Sequence, residues 1–262
     1  MLSTKEVAQN YVKIGEAKAK QSIPNLIILG ILAGFFISVA GTGAATAAVS
    51  VQEASAAKLI NACIFPAGLA MVVIAGSELF TGNCLLLIPV LEKKITVWDM
   101  IRNWIFVYLG NFIGSMMFVA MCTYGHVYGL FDYGLADSLF STAVTKVNLG
   151  FEDALLKGIL CNILVCVAVW MTFSAQTAAG KIISLFFPIM VFVICGFEHS
   201  VANMSYIGSG LFMKSAYGMQ EATLTWFNFL VGNLVPVTIG NIIGGFLVAL
   251  SYWFVYLRKD GK

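Results

Sequence analysis

Cut at its charges, the chain falls into six apolar segments, residues 23–51, 59–91, 103–131, 158–180, 182–213 and 222–257. Each is long enough to cross a hydrocarbon core of about 30 Å at about 1.5 Å per residue. Six spans of this kind predict an all-α membrane protein with six transmembrane helices, because lipid leaves backbone N–H and C=O groups no partners outside a helix or closed barrel. Composition points the same way. Of 262 residues 60% are hydrophobic and 11% charged, roughly half the charge of a soluble domain. The formal charge of +2 gives no basic face for nucleic acid.

The few charges report orientation. Six crossings put both termini on one side, together with Lys5, Lys13, Lys18, Lys20, Lys93, Lys94, Arg102, Lys181, Arg258, Lys259 and Lys262, eleven in all. The opposite side holds four, Lys58, Lys146, Lys157 and Lys214. An excess of Lys and Arg marks the cytoplasmic face, so the expectation is a multi-pass plasma-membrane protein with both termini in the cytoplasm. Residues 1–22 carry Val7, Tyr11 and Ile14 at helical spacing among lysines and read as an amphipathic interfacial helix. Residues 23–257 form the six-span transmembrane domain and 258–262 a short cytoplasmic tail. The first apolar stretch is too long for a signal-peptide core, so the mature protein is expected to begin at or near Met1.

Two segments, 59–91 and 182–213, are longer than one crossing needs, yet each has a carboxylate near its middle. Both are expected to be broken. The breaks read Gly76-Ser77-Glu78-Leu79-Phe80-Thr81-Gly82-Asn83 and Gly196-Phe197-Glu198-His199-Ser200-Val201-Ala202-Asn203, a shared Gly-x-Glu-x-x-x-x-Asn. Two further matches keep the same order: Gly110-Asn111-Phe112-Ile113-Gly114 with Gly240-Asn241-Ile242-Ile243-Gly244, and Gly30-Ile31-Leu32-Ala33 with Gly158-Ile159-Leu160-Cys161. Three spans per half turn the second copy upside down, giving an inverted 3+3 repeat with broken second and fifth helices. The Gly-x-x-x-Gly spacings read as close helix packing.

Paired breaks at equivalent places point to a transport site at the midplane. The ionisable residues inside the membrane are Glu78, Glu198 and His199, and such groups are costly enough to imply a role. The two carboxylates occupy equivalent positions and are expected to support their loops, with Asn83 and Asn203, by accepting backbone N–H or hydroxyl donors. His199 breaks the symmetry, its counterpart being Leu79, and imidazole can donate a hydrogen bond or a proton to an anion near neutral pH. His126, near an outer loop, carries no such argument. The six cysteines show no Cys-x-x-Cys pair and read as small buried hydrophobes. Two histidines at different depths make no bis-His haem site, and no catalytic motif appears. Neither an enzyme nor a cofactor or metal is expected.

At Val73-Ile74-Ala75-Gly76-Ser77-Glu78-Leu79-Phe80-Thr81-Gly82-Asn83 the sequence resembles the first signature of the formate/nitrite transporter family. Residues 158–168 resemble its second signature, and Gly196 to Met204 its fifth-span break. The resemblance covers most of the chain and implies an aquaporin-like protomer in a homopentamer, each protomer with its own pore. It implies that Thr81 is hydrogen-bonded toward the central His199. Phe65, Leu69 and Phe192 would narrow the pore beside that histidine, and Leu79, Phe80 and Val165 would do so nearer the cytoplasm. Asn162 and Asn203 match polar pore-side or loop-supporting positions, and Lys146 a basic residue of the outer vestibule. The partners implied are small inorganic or one-carbon anions, namely formate, hydrosulfide and nitrite. A water or neutral-solute channel is the alternative, and it would have no use for His199. Channel and proton-coupled antiporter are not separable at this level.

Overall fold

The computed structural model describes residues 1–258; the rest of the expected tail, with Lys259 and Lys262, lies outside the described residues. Every regular element among the described residues is helical. In chain order they are α1 (Thr4–Ala19), α2 (Ile23–Ala48), α3 (Ala54–Ile64), α4 (Pro66–Ala75), α5 (Leu87–Leu91) and α6 (Val97–Tyr124). Then follow α7 (Gly134–Val147), α8 (Phe151–Ser174), α9 (Ala178–Ile194), α10 (Ser200–Ala216) and α11 (Val235–Tyr256). Among the described residues, five helices are long and apolar enough to cross a membrane: α2, the α3–α4 pair bent at Pro66, α6, α8, and α11 with its π-helical lead-in Asn228–Leu234. The apolar pieces Gly82–Leu91 and Ala178–Ile194 are shorter.

The second and fifth apolar segments are broken where the shared motif lies. α4 stops at Gly76 and α9 just before Gly196, and both glycines adopt left-handed φ, +79° and +68°. Each break then runs without regular structure before helix resumes. α6 and α8 begin about two turns before the charge-cut boundaries at 103 and 158. Asp99 lies in the first turn of α6, and Glu152 and Asp153 in that of α8. Acids are compatible with the positive end of a helix and so do not mark its limit.

The two halves pack alike. α2 lies on α6 through Gly30, Gly34, Gly110 and Gly114: a Cβ on Gly30 would sit 2.9 Å from the Val107 carbonyl, and those on Gly34 and Gly114 would fall on the Asn111 and Ile31 carbonyls. α8 lies on α11 in the same manner, Gly158 facing Val237 and Gly240 facing Leu155. α1 buries Val7, Ala8, Tyr11, Val12 and Gly15 against the bundle, with the Tyr11 ring 5.3 Å from Phe173 and 5.9 Å from Trp170. The counterpart of α1 in the second half is α7, an amphipathic helix ahead of α8 that the apolar pattern alone passes over as a loop. Both carry their lysine, Lys18 or Lys146, in the last turn. Of the cysteines, Cys84, Cys122, Cys161 and Cys166 are buried, whereas Cys63 and Cys195 are exposed on the surface of the chain.

Contacts fix which ends lie together. Leu2 N–H donates to Ser174 O, Arg102 donates to the carbonyls of Ala19 and Gln21, and Trp253 Nε1 donates to Glu92. These residues define a terminal side; Lys58, Lys146, Lys157 and Lys214 belong to the far side.

Candidate functional site

The site is built from the two breaks. After Gly76, Glu78 N–H donates to Leu29 O at 3.2 Å and Phe80 N–H donates to Asn111 Oδ1 at 3.0 Å. Asn111 Nδ2 in turn donates to Gly30 O (2.8 Å) and Glu78 O (2.9 Å). One buried amide from α6 therefore holds both the break and the helix beside it. The second half repeats this: Glu198 N–H donates to Lys157 O, Ser200 N–H to Asn241 Oδ1 (2.9 Å), and Asn241 Nδ2 to Gly158 O (2.8 Å) and Glu198 O (2.9 Å). The glycine contacts between helices let each asparagine reach the opposite carbonyl.

The carboxylates follow the same symmetry, but their donors are not the backbone and hydroxyl groups expected from sequence. Glu78 accepts from Lys18 Nζ at 2.8 and 2.9 Å and from Asn83 Nδ2 at 2.7 Å. Glu198 accepts from Lys146 Nζ at 2.8 and 2.9 Å and from Asn203 Nδ2 at 2.6 Å. Asn83 and Asn203 extend to Asn103 and Asn233, whose own amides donate to the carbonyls of Lys18 and Lys146. Paired and hydrogen-bonded, a buried carboxylate avoids the cost of standing alone. Lys146 thus lies at the far-side opening, with its ammonium bound to Glu198.

Between the breaks, Thr81 Oγ1 stands 2.9 Å from His199 Nε2, and both residues are buried. His199 caps α10, its Nδ1 accepting the Ala202 N–H at 3.0 Å. An acceptor nitrogen carries no proton, so the ring is neutral with its hydrogen on Nε2, donating to Thr81 Oγ1. The Thr81 hydroxyl hydrogen is left free to donate elsewhere. Asn162 Nδ2 holds the loop from behind, donating to Thr81 O at 3.2 Å and to Asn241 O at 2.5 Å.

Two cavities approach this pair. The far-side one, about 600 Å³, is lined by Phe65, Phe192 and His199 together with Lys58, Lys146, Lys157, Glu198 and Asn203. The terminal-side one, about 270 Å³, is lined by Leu69, Val72 and Leu79 with Lys18, Glu78 and Asn83. Phe65 and Phe192 meet edge to face at 5.5 Å, and Phe192 stacks on His199 at 6.0 Å. Thr81 lines neither cavity. Phe80 and Val165 do not either; the Phe80 ring packs on Tyr108 and Trp104, 4.9 and 5.8 Å away. The sequence passed over Lys18, Asn103, Asn111, Asn233 and Asn241 as site residues. A polar side chain at equivalent places in two apolar spans was the available signal for the asparagines. Among the described residues no three His, Cys, Asp or Glu are grouped as a metal would require.

The sequence profile described as formate/nitrite transporter matches residues 5–254. The transporter YrhG of Bacillus subtilis (strain 168) is 39% identical over 260 residues, covering 97% of this chain and 94% of that one. The formate channel FocA of Escherichia coli (strain K12) is 36% identical over 260 residues, covering 94% and 91%. Among solved structures, a pentameric formate channel with formate bound superimposes with a TM-score of 0.80 at 34% identity, covering 90% of this chain and 98% of that one.

Proposed function

The chain belongs to the formate/nitrite transporter family, and we propose that it is a passive or proton-linked channel for small monovalent weak-acid anions: formate, hydrosulfide and nitrite. Membership makes it a multi-pass membrane transporter and not an enzyme. The observation that carries the proposal is the buried Thr81–His199 hydrogen bond set between two vestibules and walled by Phe65, Phe192, Leu69 and Leu79.

An anion stripped of water among those side chains would lose several kcal/mol of hydration, whereas its neutral conjugate acid would lose far less. The far-side vestibule offers Lys58, Lys146 and Lys157 against Glu198, a net positive mouth that raises the local anion concentration. At the centre the Thr81 hydroxyl, with His199 Nε2–H behind it, donates to the anion while it exchanges a proton with vestibule water. With Nδ1 engaged by the Ala202 N–H, His199 serves as the donor that orients Thr81, and an imidazolium would lose that contact. Six spans, cytoplasmic termini and a homopentamer with one pore per protomer complete the proposal. The support is the eleven-to-four lysine and arginine asymmetry and the pentameric relative.

The test is solute flux into proteoliposomes holding the full chain. Formate, nitrite and hydrosulfide should enter, and faster as the external pH falls. Chloride, equal in charge but not protonatable, should not. Chloride entering as fast as formate, or water alone crossing, would refute the proposal.

A further inference from the structure

A third cavity, about 630 Å³, opens on the far-side surface and shares no lining residue with either vestibule. Its walls are aromatic. The rings of His126 and Tyr217 lie nearly parallel, 11° apart in plane and 6.4 Å between centres, and Tyr133 stands perpendicular to Tyr217 at 5.6 Å. Tyr124 and Asp137 complete the rim. The Tyr217 hydroxyl donates to Thr123 O at 2.7 Å, which fixes that ring in place.

The electrostatics of the cavity are one-sided. The C-terminal ends of α6, at Thr123 and Tyr124, and of α10, at Ala216, both form its wall, and helix C-termini favour cations. α6 has no basic residue in its last turn, and Lys214 of α10 turns its ammonium to the carbonyls of Glu221 and Leu224. α7 begins at the same wall, and Asp137 in its first turn answers its positive end. Among the described residues no lysine or arginine lines the cavity. Aromatic faces attract cations through their quadrupole, and methylated ammonium is the cation suited to such a box.

The local backbone is held at a cost. His126, Phe131, Asp132 and Tyr133 all have φ between 53° and 67°, a region strained for a non-glycine residue. Membrane-interface anchoring needs tyrosines at a given depth; it needs neither this ring geometry nor two helix C-termini converging on it. We propose that this pocket binds a methylated ammonium group, carried by a free solute or by a lipid headgroup.

Tetramethylammonium is titrated calorimetrically into the full-length protein in detergent, beside 3,3-dimethylbutanol, the neutral isostere of choline. The cation should bind at least tenfold more tightly. Asp137→Asn should weaken it about tenfold, and so should Tyr133→Gly, which removes a ring at a backbone conformation glycine adopts freely. Asp132→Asn, in the same loop but off the cavity wall, should leave binding unchanged. All three variants should keep wild-type formate flux, which shows that they are folded. Repeating the titration in phosphatidylcholine and phosphatidylglycerol nanodiscs separates the sources: a lipid ligand suppresses tetramethylammonium binding only in the former, a free solute in neither. No cation binding, equal binding of the neutral isostere, or binding untouched by both Asp137→Asn and Tyr133→Gly would overturn the proposal.

Discussion

Asn241 makes four contacts from one side chain and its own carbonyl: it accepts Ser200 N–H, donates to Gly158 O and Glu198 O, and its carbonyl receives Asn162. Asn241→Leu would leave the buried Ser200 N–H and the Glu198 carbonyl without this partner, at about 1–3 kcal/mol each, while Gly158 O would keep its bond within α8. Thermal unfolding in detergent should show a loss of several degrees or more. Asn111→Leu should do the same, because Asn111 holds Phe80, Gly30 and Glu78 in the matching way. Single residues were unevenly legible. His199 stood out because it interrupts a repeat, and Glu78 and Glu198 because carboxylates are expensive in a membrane. Thr81 was reached through resemblance alone, since no periodicity joins two residues 118 positions apart. Asn111 and Asn241 served only as markers of the repeat, although a buried amide in an apolar helix must find partners.

At the scale of elements, the breaks and the close helix pairs depend on each other. α2 and α6 approach until Gly114 nearly touches the Ile31 carbonyl, and only at that spacing does the Asn111 amide reach Gly30 O. Gly114→Val should force the helices apart, at about 1–3 kcal/mol for the overpacking, plus the loss of hydrogen bonds that hold the first break. The expected readouts are a lowered melting temperature and faster proteolysis within residues 76–83. Gly43→Ala, where an added Cβ meets only Ile64 at 4.0 Å, is the control that should change neither. Element positions came from apolar length and glycine spacing, which is why both breaks were legible. The starts of α6 and α8 were misplaced because Arg102 and Lys157, together with the first-turn acids, look like boundaries in a charge count although all lie within the first two turns of their helices. α7 was missed because its apolar face is too short to be read as a span.

Over the whole molecule, the two halves place one Lys–Glu–Asn–Asn cluster at each mouth, Lys18–Glu78 on the terminal side and Lys146–Glu198 on the far side. The pairing of the two clusters was legible from the shared Gly-x-Glu-x-x-x-x-Asn of the two breaks. The pairing of the lysines with the carboxylates was not, because α1 read as an interfacial helix and Lys146 as a basic residue of the outer vestibule. Breaking a buried pair by removing one partner costs about 3–5 kcal/mol, while replacing both costs far less. Both lysines keep part of their surface in water, so the lower end of that range applies. Lys146→Met should therefore destabilise more than the double variant Lys146→Met/Glu198→Gln, with Lys18→Met and Lys18→Met/Glu78→Gln behaving in parallel. Denaturation midpoints of these four proteins beside wild type show the penalty of the unpaired carboxylate in each half.

The central claim for the assembled channel is that a weak-acid anion meets the Thr81 hydroxyl, aimed by His199. The initial rate of formate uptake into proteoliposomes, followed across pH for wild type, Thr81→Ser, Thr81→Val and His199→Phe, tests it directly. The serine variant should retain most of the flux. Thr81→Val should lose about tenfold, the order of one hydrogen bond of about 1.4 kcal/mol, and His199→Phe should shift the pH profile as well as the rate. Wild-type rates and an unchanged pH profile in both Thr81→Val and His199→Phe would contradict it.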